Sequence, residues 1–186
     1  MIDAIDRALR DVPLLPFLDG PAPKADDVAP SIGCGQRGTP PDTVRRLLRE
    51  ADVRAGLRVL ELGSGTGYTA AVTAQLGALV HGVELEPTLV ERARQTLTSI
   101  GSTATVHQGD AAGGWPAEAP YDVVLATIAV RRLPPAWLAQ LGPAGVLVAP
   151  IGPADGRQEL TVFRRLDGRL ERTGRGPARF APLRGL

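Results

Sequence analysis

Val59-Leu60-Glu61-Leu62-Gly63-Ser64-Gly65-Thr66-Gly67-Tyr68 is an apolar run that ends in an acid and three alternating glycines. The run reads as a buried strand, and the glycines as a sharp turn into a helix over 68–76. Glycine lets the backbone pass close to a ligand, and the N-terminus of the following helix offers unpaired amides and a positive dipole end. Such a turn suits a nucleotide or nucleoside. The spacing is G-x-G-x-G, with Tyr68 where a dinucleotide fingerprint would carry its third glycine.

Outward from this turn, strands and helices alternate. Strands are expected at 58–62, 79–84, 103–108, 121–127 and 145–150, and helices at 68–76, 87–100 and 134–141. That alternation predicts a parallel sheet, doubly wound, with helices on both faces. The segments 158–165 and 178–182 suit antiparallel strands at the sheet edge. Ahead of the core, Ile2, Ile5, Leu9 and Val12 mark one face of a short helix, and 13–30 reads as an irregular arm rich in Pro, Asp and Ala. A further helix should start at Thr39-Pro40-Pro41-Asp42, with Thr39 as its cap and Val44, Leu47 and Leu48 facing inward. The whole chain, 1–186, is expected to be one domain: an N-terminal part over 1–56, an α/β core over 57–150 and C-terminal strands over 151–186.

Two more strand ends carry acids. Glu84 closes the second strand about twenty residues after the glycine turn, where a carboxylate can accept both hydroxyls of a ribose. Gly109-Asp110 closes the third, where Asp110 could accept from an adenine amino group. Ligands of parallel sheets sit beyond the carboxyl ends of the strands, and these positions share that side.

Composition narrows the alternatives. Lys and Arg number 21 against 20 Asp and Glu, so no acidic polymer is implied as a partner. Arginines over 157–184 are interleaved with Asp155, Glu159, Asp167 and Glu171 and have little aromatic company, which argues against a nucleic-acid groove. Cys34 is the single cysteine, which excludes an internal disulfide and a cysteine metal cluster; it reads as a structural thiol. His81 and His107 fall in strands and read as core-edge residues, and Trp115 and Trp137 as packing residues, with Trp115 a candidate for the rim of an adenine pocket. No run is long and apolar enough to span a bilayer, and a cytoplasmic monomer is the expectation.

The E-x-G-x-G-x-G form of Glu61 to Gly67 resembles the first motif of S-adenosylmethionine-dependent methyltransferases. Ile32-Gly33-Cys34-Gly35-Gln36 followed by Thr39-Pro40-Pro41, Glu118-Ala119-Pro120-Tyr121-Asp122, Leu133-Pro134 through Gly145, and Arg179-Phe180-Ala181-Pro182-Leu183-Arg184 together resemble the protein-L-isoaspartate O-methyltransferase family, from about residue 5 to the end of the chain. The resemblance implies a seven-stranded, mostly parallel Rossmann-like methyltransferase sheet and the cofactor S-adenosyl-L-methionine. Its binding site would comprise Glu61, Gly63, Ser64, Gly65, Thr66, Gly67, Glu84, Leu85, Gly109, Asp110, Ala111 and Thr127. The implied reaction methylates the α-carboxyl of L-isoaspartyl residues in peptides or proteins. A carboxylate is already ionised near neutral pH, so such a transfer needs no general base.

The acceptor side departs from the family pattern. Thr39 stands where the family has a serine that contacts the substrate carboxylate, and Pro40 and Asp42 replace other residues. After the fourth strand the chain reads Thr127-Ile128-Ala129-Val130-Arg131-Arg132, bulkier and more basic than the family's small residues. Acceptor contacts are therefore expected at Thr39, Pro40, Ile128, Arg131 and Arg132, with two readings open for the arginine pair: a clamp on an acidic peptide, or the surface charge of a solvated turn. Isoaspartyl repair, methylation of an aspartate in a dedicated precursor peptide, and non-catalytic cofactor binding all fit this reading.

Overall fold

The computed structural model describes residues 3–184. The chain opens with α1 (Ala4–Asp11), capped by the Asp3 carboxylate on the Asp6 amide; Ile2, expected on its apolar face, lies outside the described residues. An arm with one 3-10 turn (Leu15–Phe17) leads to the two-stranded hairpin β1 (Ser31–Gly33) and β2 (Gln36–Arg37), and then to α2 (Pro41–Glu50). The core follows as β3 (Arg58–Leu62), α3 (Tyr68–Gln75), β4 (Leu79–Glu84), α4 (Pro87–Ser99), β5 (Thr105–Gln108), β6 (Tyr121–Ala126), α5 (Pro135–Ala139), β7 (Leu141–Ile151), β8 (Gln158–Leu166) and β9 (Arg169–Ala178).

The seven core strands form one sheet in the order β5-β4-β3-β6-β7-β8-β9. The first five are parallel, while β8 and β9 run antiparallel to their neighbours. The order turns at β3: the chain moves outward to β4 and β5, then returns to the other side of β3 with β6. That reversal opens a crevice at the carboxyl ends of β3, β4 and β6. Alternate residues of each strand enter opposite cores, as the two-residue period of a strand requires. Val59, Val123, Leu125 and Val148 pack with Leu47, Leu48, Val72 and Leu97 of the helices, whereas Leu60, Leu62, Val124 and Leu147 pack with Trp137 of α5.

Three expectations change. The second antiparallel strand is β9, not 178–182, whose structure reduces to a bridge of Pro182 to Ala129. Nearly every residue of β9 is exposed, so it lacks the apolar alternation that marks a half-buried strand. Its readable signal is Asp167-Gly168, both at positive φ (49° and 75°), the turn chemistry of a tight hairpin. Second, β7 begins at Leu141 and so cuts α5 to five residues. Third, the cap position of α2 is Pro40, without a side-chain bond, which leaves Thr39 outside the helix.

Candidate active site

The glycine turn is held from both sides. The Gly63 and Ser64 amides donate to the Val83 carbonyl at 2.9 and 3.1 Å, and the Thr127 hydroxyl lies 2.7 Å from the Gly63 carbonyl and 3.1 Å from that of Leu62. Gly63 sits at φ 87°, and a Cβ there would come within 2.5 Å of Ile128. Gly65 sits at φ 55°, and its Cβ would meet the tip of Ile32 at 2.8 Å. Only glycine fits both the backbone and the two isoleucines above it. Gly67 is needed for another reason: it begins α3 in the left-handed region and lies against Ala93 and Leu97 of α4.

The N-terminal arm is fastened over this turn. The Thr66 hydroxyl donates to the Phe17 carbonyl at 2.7 Å, Phe17 packs edge-on against Tyr68, and Arg92 of α4 donates to the Leu18 and Ile32 carbonyls at 2.8 Å each. On the other side, Gln158 grips both backbone groups of Phe180, and the tail continues along Ala129 through bonds of 2.7 and 2.9 Å. Arm, hairpin and tail thus wall a cleft of about 990 Å³, counting its open mouth, above the carboxyl ends of β3, β4 and β6.

Two carboxylates define the floor. Glu84 is oriented by backbone: its Oε2 accepts from the Gly65 amide at 2.8 Å and its Oε1 from the Glu86 amide at 2.9 Å. Each oxygen keeps a lone pair for a further donor. Glu61 is 1% exposed, and its Oε2 has no hydrogen-bond partner among the described residues. Burial above all, and then the Glu84 charge, push its pKa up to about 8. A buried carboxyl with one idle oxygen is costly unless something cationic answers it.

Of the residues expected at the cofactor, Glu61, Gly63, Ser64, Gly65, Thr66, Glu84, Leu85, Ala111 and Thr127 line the cleft, while Gly67, Gly109 and Asp110 do not. Asp110 caps the turn over Ala111–Gly113 by accepting the Ala112 amide at 2.8 Å. The hydroxyls of Thr66 and Thr127 serve backbone carbonyls of the chain itself. On the acceptor side Thr39 and Ile128 line the cleft, but Pro40, Arg131 and Arg132 do not. Of the two readings of Arg131 and Arg132, the geometry fits surface charge: Val130 is tied to Pro150 and Gly152 and turns the chain outward, leaving both arginines exposed and off the cleft wall. Asp42 is also exposed and bonds Arg45, so its charge is answered away from the cleft.

Other expectations shift too. Cys34 is exposed at φ 53° in the tight turn between β1 and β2, so it is not a packed structural thiol. Trp115 stacks on His107 of β5 at 4.1 Å and is not among the residues that line the cleft. His81 and His107 face each other with ring nitrogens 3.2 Å apart, also outside it. Sequence reading missed Phe17, Ile32, Gln36, Arg37, Tyr68 and the tail residues Ala181 to Arg184 as cleft residues. Tyr68 closes the glycine motif and the Ile32–Gln36 and Arg179–Arg184 stretches carry the family resemblance, but none of these signals marks the individual side chain as a cleft residue, and Phe17 has no local motif at all.

Comparison with known proteins decides the family. The model of the family described as "Protein-L-isoaspartate(D-aspartate) O-methyltransferase (PCMT)" matches residues 2–186. The chain belongs to this family. A protein-L-isoaspartate O-methyltransferase of Anaeromyxobacter dehalogenans (strain 2CP-1 / ATCC BAA-258) is 40% identical over 191 residues, covering 100% of this chain and 88% of the relative. A solved protein-L-isoaspartate O-methyltransferase structure superposes with a TM-score of 0.90 at 28% identity, covering 99% of this chain and 62% of that one. A second, from Plasmodium falciparum, described as a putative member in complex with S-adenosyl-L-homocysteine, gives 0.85 at 19% identity and covers 98% of this chain and 91% of that one, which supports the fold alone. Among the described residues, no helix of this family member is long and apolar enough to cross a membrane.

Proposed function

We propose that the protein transfers a methyl group from S-adenosyl-L-methionine to the α-carboxyl of L-isoaspartyl residues in peptides or proteins. The observation that carries the reading is the pair of carboxylates in the cleft. Glu61 offers a buried, unpartnered oxygen suited to the cofactor's ammonium, and Glu84, at the end of β4, offers lone pairs suited to its ribose hydroxyls. The residues therefore fit the cofactor. Bound there, it supplies a methyl group activated by a positively charged sulfur.

The chain's own part is binding and alignment. Ile32 and Ile128 lie over the glycine turn and, with Phe17 and the arm, keep water from the reacting end. Thr39, free of capping duty, presents its hydroxyl to the acceptor carboxylate, which needs no proton removed before it reacts. Holding donor and acceptor in line accounts for much of the acceleration such a site provides.

The same reading takes the protein as a cytoplasmic monomer without a nucleic-acid partner. An exposed free thiol suits a reducing compartment. Arg172 and Arg175 are matched by Glu159 and Glu50, and the free edge of β9 carries Gly174, Gly176 and Pro177, which discourage strand pairing between copies. The test compares methyl-ester formation on an isoaspartyl peptide and its normal aspartyl twin. Turnover of the first alone is expected. Methylation of the aspartyl twin alone would point to a dedicated aspartyl substrate, and turnover of neither would overturn the assignment.

A further inference from the structure

The charged side chains on the cleft wall come from two sources. Glu61, Glu84 and Glu86 stand on or just after the ends of β3 and β4, whereas Arg37 and Arg184 come from segments outside the parallel sheet, the β1–β2 hairpin and the tail. Other arginines in this region act as internal braces: Arg92 holds two carbonyls of the arm and hairpin, and Arg46 holds the carbonyls of Arg175 and Pro177. Arg37 and Arg184 are exposed, and among the described residues neither makes a salt bridge. Arg37 lies two residues before Thr39, and Arg184 extends the tail strand bonded to Ala129, next to Ile128. Both cations therefore stand on the cleft walls that carry Thr39 and Ile128.

We infer that Arg37 and Arg184 recognise a second carboxylate on the substrate peptide, so that the enzyme prefers isoaspartyl sites with a neighbouring Asp or Glu. This rests on the acceptor being a peptide carboxylate, as proposed above. The reacting carboxylate is a poor partner for the pair, because methylation removes its charge. A guanidinium bound to it would stabilise the reactant more than the transition state and slow the step. A flanking carboxylate keeps its charge throughout, so attraction to it strengthens binding without opposing transfer. The contact is solvent-exposed and hence modest and salt-dependent. The basic pair Arg131–Arg132 sits outside the cleft, and among the described residues the arginines that line it are Arg37 and Arg184.

The experiment uses two isoaspartyl peptides identical except for Glu or Gln beside the isoaspartyl residue. At low salt the unmodified enzyme should favour the Glu peptide in kcat/KM by about threefold to fivefold, through KM and not kcat, and the ratio should shrink as salt rises. Arg37→Gln with Arg184→Gln should bring the ratio to about one, while Arg131→Gln with Arg132→Gln should retain it. A ratio near one in the unmodified enzyme, or one unchanged by the double substitution, overturns the inference. Weaker S-adenosylhomocysteine binding in the Arg37/Arg184 variant also overturns it, by placing the pair on the cofactor's own carboxylate. Peptide affinity, measured by fluorescence anisotropy with S-adenosylhomocysteine present, separates this idea from the proposed activity. If neither peptide is methylated but the Glu peptide still binds more tightly through these arginines, the activity fails and the recognition stands.

Discussion

Glu61→Gln tests the electrostatics of the cleft floor. In the folded protein burial, reinforced by Glu84, raises the Glu61 pKa from 4.5 to about 8. The fold therefore retains a proton that the unfolded chain releases. This group's contribution is most favourable below the unfolded pKa, declines as pH rises from 4.5 towards 8, and is level above that. The slope is about 1.4 kcal/mol per pH unit, so by pH 7 roughly 3 kcal/mol of stability has been lost to this side chain. Glutamine matches the size of the protonated acid and never ionises. Urea unfolding between about pH 5.5 and pH 7.5 should show the unmodified protein losing roughly 3 kcal/mol more than the variant, all other groups cancelling in the difference. Near neutral pH the variant should be the more stable, less about 1–3 kcal/mol for any amide donor left without a partner. A cationic ammonium at Glu61 would draw its pKa down, so S-adenosylhomocysteine binding near pH 7 should release a proton. Titration calorimetry in buffers of different ionisation enthalpy would detect that release, and Glu61→Gln should abolish it while weakening affinity. Parallel pH–stability curves for the two proteins would refute the reasoning.

Further substitutions probe the loop and the proposed acceptor wall. Gly63→Ala places a Cβ within 2.5 Å of Ile128 at a φ of 87°, so it should cost about 2 kcal/mol or more in urea unfolding; adding Ile128→Ala should recover the steric part and leave about 1 kcal/mol of backbone strain. Because Pro40 holds the cap position, Thr39→Ala should leave stability within about 0.5 kcal/mol while lowering kcat/KM for an isoaspartyl peptide about tenfold, and Thr39→Ser should keep that activity. A cost of about 1 kcal/mol or more with unchanged kinetics would make Thr39 a structural residue only.

The parallel core was legible because its signals are local. Val59 to Leu62 and Tyr121 to Ala126 are near-continuous apolar runs, as strands covered on both faces must be, and the glycines after Leu62 demand a turn whatever packs around it. Glu84 could be chosen because the end of a strand is a position along the chain. What β9 does could not be read this way: with little buried apolar surface, its pairing with β8 is a backbone matter that side-chain periodicity does not encode. The cleft walls were hidden for a similar reason. Phe17 reaches the glycine turn through its carbonyl, which accepts from the hydroxyl of Thr66, 49 residues later, and Arg184 lies on the wall because Ala129 pairs with the tail. The sequence points to Arg131 and Arg132 through their proximity to Ile128 along the chain, whereas the arginines on the cleft wall are Arg37 and Arg184. Which way a loop turns depends on what it bonds, and the bonds of Val130 to Pro150 and Gly152 send that pair outward. The strand-end carboxylates and the glycine turn were thus determined by the sequence itself, since each is set by neighbours a few residues away. Which hydroxyls are tied up by backbone carbonyls and which arginines stand on the cleft wall were decided only by tertiary structure, because both depend on partners distant in the chain.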